Sequence, residues 1–218
     1  QRVAIARALA VSPGILLMDE PLAALDPARK QEILPYLESM HDELDIPVIY
    51  VSHSTDEVAR LADHLVLLEE GKVIASGATG EMLTRLDLPL ARGEDAEALI
   101  EAVVAGHDDE YALSYLDFPG GRFTVSQKPL EIGKPVRLRV LARDVSLTLE
   151  HQAGTSILNI FPVIIDEITA VGSSQFTVRL LADGVPLLSR VTRKSAALLG
   201  LEKGRKVFAQ AKSVALLA

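Results

Sequence analysis

Two apolar stretches of this chain stop at side chains suited to phosphate chemistry. Ile15-Leu16-Leu17-Met18 runs straight into Asp19 and Glu20, and Pro47-Val48-Ile49-Tyr50-Val51 runs into Ser52 and His53. Short apolar runs that end abruptly at polar residues read as buried strands. In an open α/β fold, ligands sit outside the carboxyl ends of such strands. An Asp-Glu pair and a histidine delivered to one sheet edge suit hydrolysis of a nucleoside triphosphate. Asp19 would hold Mg²⁺, Glu20 would polarise the attacking water, and His53 would meet the terminal phosphate. Asp19 closes the apolar strand and is the more rigidly held carboxylate, which suits a metal ligand. Glu20 is then free to lean toward water. Taken alone, His53 would read as a hydrogen-bonded surface histidine.

The elements that must position these groups follow from periodicity and punctuation. Arginines alternate with apolar residues at helical spacing from Gln1 to Val11, and Ser12-Pro13-Gly14 stops that helix. A helix is expected from 27 to about 44, with Asp26 as its N-cap and Pro27 at its first position. Residues 48–51 form a strand and 54–62 a short helix. Residues 65–68 and 73–75, joined by Glu69-Glu70-Gly71-Lys72, read as a hairpin. One more helix spans 80–86, and Pro89, Gly93 and a charged stretch then end this part. Alternating strands and helices predict an α/β unit with a parallel sheet.

From about 97 onward the style changes. Short strands at 136–140, 145–149, 164–169, 176–180 and 207–211 are separated by Gly/Pro turns, the pattern of a small all-β barrel or sandwich. This part also echoes itself. Residues 132–136 leading to Ala142-Arg143-Asp144-Val145-Ser146-Leu147 match 202–207 leading to Ala211-Lys212-Ser213-Val214-Ala215-Leu216, with a gap of two residues.

The 218 residues, 49% of them apolar, suffice for one large or two modest domains. A net charge of −8, with no tight Lys/Arg cluster, argues against a nucleic-acid groove, in which cations must displace counterions. With no cysteine there is neither a disulfide nor a thiolate metal site. No apolar run approaches a bilayer span. The chain opens on Gln1-Arg2-Val3 inside a helical pattern, so the expectation is the C-terminal part of a longer protein.

In their order, the first set of motifs resembles the ATP-binding-cassette (ABC) ATPases over roughly residues 1–77. Gln1 to Leu9 is similar to the helix after that family's signature loop, and 15–20 to its Walker B strand with the catalytic Glu20. Residues 22–26 resemble the D-loop, and His53 the switch histidine. The resemblance implies a P-loop NTPase-type parallel sheet, ATP with Mg²⁺, and nucleotide sandwiched in a homodimer, with Asp26 facing the partner subunit. The phosphate cradle G-x-x-x-x-G-K-[ST] does not occur in these residues. The chain as given is therefore expected not to turn over ATP, while the longer parent does.

Residues 155–160, Thr192-Arg193-Lys194-Ser195 and Ala211-Lys212-Ser213-Val214 resemble the Mop-type, transport-associated OB (TOBE) module of molybdate importer ATPases. The candidate oxyanion ligands are Ser156, Thr192, Ser195, Lys212 and Ser213, completed across a subunit interface: hydroxyl and N–H donors with one cation suit a tetrahedral oxyanion. Thr192 and Ser195 also open a short helix at 196–200. Leu158 stands where relatives with an oxyanion site often have arginine.

The expected organisation is thus 1–92 from an ABC ATPase domain, 97–154 a β-rich OB-like half, and 155–218 the Mop/TOBE domain. The implied parent is the ATPase of a molybdate or tungstate importer, peripheral on the cytoplasmic face of the membrane. Its partners would be the permease subunits and, indirectly, a periplasmic or extracellular oxyanion-binding protein. The alternatives are an importer ATPase for sulfate, sugar or polyamine with a regulatory tail, and a non-enzymatic cytoplasmic oxyanion-binding protein.

Overall fold

A computed structural model describes residues 2–43 and 46–217. Its first part runs α1 (Arg2–Leu9), β1 (Leu16–Asp19), α2 (Pro27–Glu43), β2 (Val48–Val51), α3 (Thr55–Leu61), β3 (His64–Glu69), β4 (Lys72–Ala78) and α4 (Thr79–Thr84). Each expected element is present within a few residues of its expected bounds; Gln1 and Leu44, at two expected helix ends, lie outside the described residues. The parallel sheet, however, consists here of the pair β1–β2 alone, with β3–β4 as a separate antiparallel hairpin. That hairpin turns at Glu70 and Gly71, both at positive φ (49° and 75°), the geometry that matches strand twist and favours glycine.

The pair β1–β2 is apolar on both faces. Leu16, Met18, Val48 and Tyr50 pack toward Leu34 and Leu37 of α2 and Leu61 of α3. On the opposite face Leu17, Ile49 and Val51 are exposed. Parallel strands are ordinarily covered on both sides, so this face has the composition of an interior without its second layer.

The second part is built from β5 (Glu97–Asp108), β6 (Leu113–Phe118), β7 (Gly121–Ser126), β8 (Pro135–Leu141), β9 (Val145–Thr148), β10 (Asn159–Val171), β11 (Gln175–Ala182), β12 (Val185–Thr192), α5 (Arg193–Leu199), β13 (Lys206–Ala211) and β14 (Ala215–Leu217). Two five-stranded sheets result, ordered β12-β11-β10-β13-β9 and β14-β8-β5-β6-β7. Reversed, the second order is β7-β6-β5-β8-β14, which repeats the first strand for strand. The sequence echo falls on β8–β9 and β13–β14, equivalent places in the two sheets. Each half gives its last strand to the other: β9 pairs with β13, and β14 with β8.

One core joins the sheets, with Ile100, Leu116, Phe123 and Leu138 from one and Ile165, Leu180 and Leu187 from the other. At its centre the Phe123 ring lies 4.9 Å from Phe118 in the same sheet and 4.6 Å from Phe161 in the opposite one. The Asn159 side chain adds a polar bridge: Thr124 N donates to its Oδ1 (2.7 Å), and its Nδ2 donates to Thr124 O (3.1 Å).

Phe123 is fully buried, so Phe123→Ala should cost roughly 3–5 kcal/mol. Urea unfolding followed by far-ultraviolet circular dichroism reads this directly. A cost within about 0.5 kcal/mol, the usual scale of a surface change, would mean that the sheets do not share a core.

Candidate functional site

Parallel register is what aligns the two strand ends. Leu16 pairs with Val48 and Asp19 with Val51, so Glu20 and Ser52-His53 leave the sheet side by side, and Glu20 N donates to Val51 O (2.9 Å). Glu20 has φ +45°, a left-handed conformation that is costly for a residue with a Cβ. Strain of this kind concentrates at functional sites. Here it ends the strand and leaves the Glu20 carboxylate beside the next one. His53 Nε2 lies 2.6 Å from Glu20 Oε1, with the imidazole 90% exposed and the carboxylate half-buried. The two groups expected to act together are in contact. Asp19 is exposed at the end of β1, and a single exposed carboxylate there fits Mg²⁺, which keeps most of its waters and takes one or two carboxylates along with substrate phosphate. Asp26 caps α2 as expected: Arg29 N donates to its Oδ1 (3.0 Å).

Behind His53 lies a group that sequence reasoning missed. Glu57, on the first turn of α3, is 3% exposed. It accepts from Lys30 Nζ of α2 (2.8 Å), Tyr50 OH of β2 (2.9 Å) and Ser52 Oγ (2.7 Å). Ser54-Thr55-Asp56-Glu57 carries a capping-box signal, and Ser54 Oγ does accept from Glu57 N (3.4 Å). The Glu57 carboxylate, however, turns inward to the Lys30 cation rather than back to the cap. Nothing local in the sequence discloses that partner, which is brought in by the packing of α2 on α3. Glu20, Lys30, Ser52, His53 and Glu57 line one pocket.

Burial by itself would raise the Glu57 carboxyl, but the bonds from Lys30, Ser52 and Tyr50 outweigh it and hold the group below the usual carboxylate range. Burial, then the bond to Glu57, pushes the Tyr50 phenol far up.

In the β-region, Ser156, Lys212 and Ser213 line one polar pocket with Leu158, Thr124 and Asn159. The structure brings three of the five candidate oxyanion ligands together there. Thr192 and Ser195 lie outside that lining. Thr192 caps α5, its Oγ1 accepting from Ser195 N (3.0 Å), and the two hydroxyls are 2.8 Å apart. Helix α5 starts at Arg193, before the expected 196, because that cap sets its first turn. Leu158 is 64% exposed at the pocket rim. Asn159 was not anticipated, since its role in bridging β7 to β10 depends on a pairing between distant segments.

Comparison with known proteins finds matches over the C-terminal part and over the whole chain. Residues 155–218 match the TOBE domain, which sets the class of the C-terminal module. Over its full length the chain is 57% identical to the molybdenum import ATP-binding protein ModC of Methylococcus capsulatus, covering 61% of that protein. It is 57% identical to ModC of Pseudomonas fluorescens, again covering 61%, and 55% identical to ModC 1 of Azotobacter vinelandii, covering 60%. The chain thus spans about 60% of the length of these curated relatives. Among solved structures, the cytoplasmic molybdate-binding protein ModG with molybdate bound aligns at TM-score 0.47 and 25% identity, over 54% of this chain and 93% of that one.

A carboxyl held low in the folded protein stabilises the fold above its unfolded value, near 4.5, and that stability is lost as pH falls through the lower folded value. Urea midpoints at pH 6 and pH 3 should therefore fall further for the unmodified chain than for Glu57→Gln. Equal falls would show that Glu57 is not the linked group.

Proposed function

We propose that this chain is the C-terminal part of the ATP-hydrolysing subunit of a molybdate or tungstate importer. The observation that carries the reading is the Glu20–His53 contact at the paired ends of β1 and β2, in a chain similar throughout to molybdenum import ATP-binding proteins. The preceding part of a P-loop sheet would cover the open Leu17-Ile49-Val51 face and supply the phosphate cradle.

In this reading Asp19 would hold Mg²⁺ at the strand ends, and the ion would supply charge neutralisation for the phosphates of ATP. Glu20 accepts the proton of the attacking water. His53 holds a terminal phosphate oxygen and keeps the water in line. Asp26, at the exposed start of α2, faces a second copy of the subunit in a nucleotide-sandwich dimer. The permease subunits and an external oxyanion-binding protein complete the importer, and the subunit sits on the cytoplasmic face of the membrane.

The sequence intervals 1–92, 97–154 and 155–218 then serve as cassette, OB-like half and TOBE domain. Ser156, Lys212 and Ser213 bind a fully deprotonated tetrahedral oxyanion, and Thr192 and Ser195 contribute from a second copy. Hydrogen phosphate is disfavoured, because a site built from donors leaves its proton unpaired.

The reading is tested on the protein extended to the length of its relatives. Mg²⁺-dependent phosphate release should fall at least about 100-fold in Glu20→Gln, on the scale of a lost general base, and about 100-fold in His53→Ala, on the scale of a lost transition-state donor. Parental rates in both variants would reject it.

The second pocket is tested by titration calorimetry. Molybdate should bind the protein in preference to phosphate, and Lys212→Ala should weaken binding about tenfold or more, as expected for a charge-assisted bond. No heat with the unmodified protein would make the module a scaffold, with Leu158 in place of the missing cation.

A further inference from the structure

The turn that carries His53 is held from behind by one side chain. Ser52 Oγ donates to Glu57 Oε2 (2.7 Å) and accepts from Ser54 N (3.0 Å). Ser54 Oγ accepts from Glu57 N (3.4 Å). Both neighbours of His53 are therefore tied to Glu57, one through its carboxylate and one through its backbone. The carboxylate is itself fixed by Lys30 Nζ (2.8 Å) and Tyr50 OH (2.9 Å). Because the imidazole is 90% exposed, its direction comes chiefly from the backbone of that turn and from its contact with Glu20.

A charge is costly to bury, and the cheaper device for capping α3 would be a carboxylate turned back to the helix start. Glu57 instead directs its acceptors to the Ser52 hydroxyl, to Lys30 of α2 and to Tyr50 of β2. We propose that Glu57 is the positioning residue for His53: through Ser52 it fixes where the imidazole stands relative to Glu20, without touching substrate itself. The inference rests on the reading of His53 as the group that meets the terminal phosphate, and it deepens that reading.

A misplacement on the ångström scale is enough to slow a reaction that depends on alignment, with little change in ground-state binding. Glu57→Gln keeps the shape of the side chain and an acceptor for Ser52, but removes the charge that anchors Lys30. Ser52→Ala leaves the Glu57, Lys30 and Tyr50 cluster in place and cuts only its link to the turn.

Two measurements separate positioning from the reading beneath it. The first is nuclear magnetic resonance of the histidine ring protons in the present chain. In both variants the His53 signals should move, while those of His107 and His151, remote in the β-region, stay in place. The second is steady-state ATP hydrolysis by the length-extended protein, where kcat should fall about ten- to 100-fold with KM for ATP within about twofold.

Unmoved His53 signals in Ser52→Ala and Glu57→Gln would overturn the proposal, and so would moved signals with an unchanged kcat. If the unmodified extended protein hydrolyses no ATP, the functional reading fails and the ring signals alone decide whether Glu57 positions His53. If Glu57→Gln loses the fold of the α/β part, shown by collapse of the His64 signal of β3 toward its value in the urea-unfolded chain, Ser52→Ala decides.

Discussion

A carboxylate at 3% exposure is tolerable only if charge and hydrogen bonds replace the water it has lost. Around Glu57 those replacements come from three separate pieces of chain: Lys30 on α2, Tyr50 on β2, and Ser52 in the turn after it. Each donor must stay within about 3 Å, so the requirement fixes α2, β2 and α3 against one another more narrowly than apolar packing alone would. The apolar contacts among Leu34, Leu37, Leu61 and Met18 supply cohesion without direction. Parallel register then carries the constraint one strand further, to Glu20. The geometry of the exposed edge is set by a buried group.

The same helix turn also anchors the β-region. Asp56, one residue before Glu57, pairs with Arg139 of β8, and Arg139 pairs in addition with the buried Glu97 at the start of β5. Burial raises the Glu97 carboxyl while the Arg139 charge opposes it. Nearby, Arg137 of β8 reaches Asp63 and Glu101. Partly exposed pairs of this kind contribute little net stability. The holding is done by Ala59, Leu83, Leu99 and Leu217, which close into one apolar cluster beneath them, while the ion pairs set the register of one part on the other. Leu217 belongs to β14, the exchanged strand, which begins just past the loop 211–214 that lines the polar pocket. A single short strand therefore separates that pocket from the junction with α3.

Features written locally in the sequence were legible. The apolar runs ending at Asp19-Glu20 and Ser52-His53, the Asp26-Pro27 helix start and the hairpin around Gly71 all stand where periodicity and turn chemistry put them. Residues 97–126 were not resolved into strands. There β5 is twelve residues long, with a run of four buried residues at its start and a partly buried run at its end, so alternation marks only its middle. The strand exchange was equally hidden, because β9 and β14 are short and owe their places to partners in the opposite half. At the site, Glu57 carried a local capping signal that concealed its long-range role. Thr192 and Ser195 matched a motif, and they stand at the start of α5, where Thr192 Oγ1 accepts from Ser195 N and meets the Ser195 hydroxyl.

The duplicated sheets show how one fold can be put to two uses. In the second half, the loop between β13 and β14 presents Lys212 and Ser213 to an open pocket. The equivalent connection in the first half is the short 3-10 turn Ala142–Asp144 between β8 and β9. It is engaged by the segment arriving from the α/β part: Arg143 Nη1 meets Asp95 Oδ1 (2.8 Å), Ala142 N donates to Ala96 O (2.8 Å), and Arg190 Nη2 donates to Gly93 O (2.7 Å). Leu86, Ala91, Ala96, Ala142 and Leu188 close over the same place as an apolar cluster. Identical strand order thus produces two equivalent connections. One receives the chain of the neighbouring unit and becomes a joint, and the other lines an open pocket. Because β9 and β14 are exchanged, each connection crosses from one sheet to the other, so the joint and the open pocket are held by the same pair of sheets.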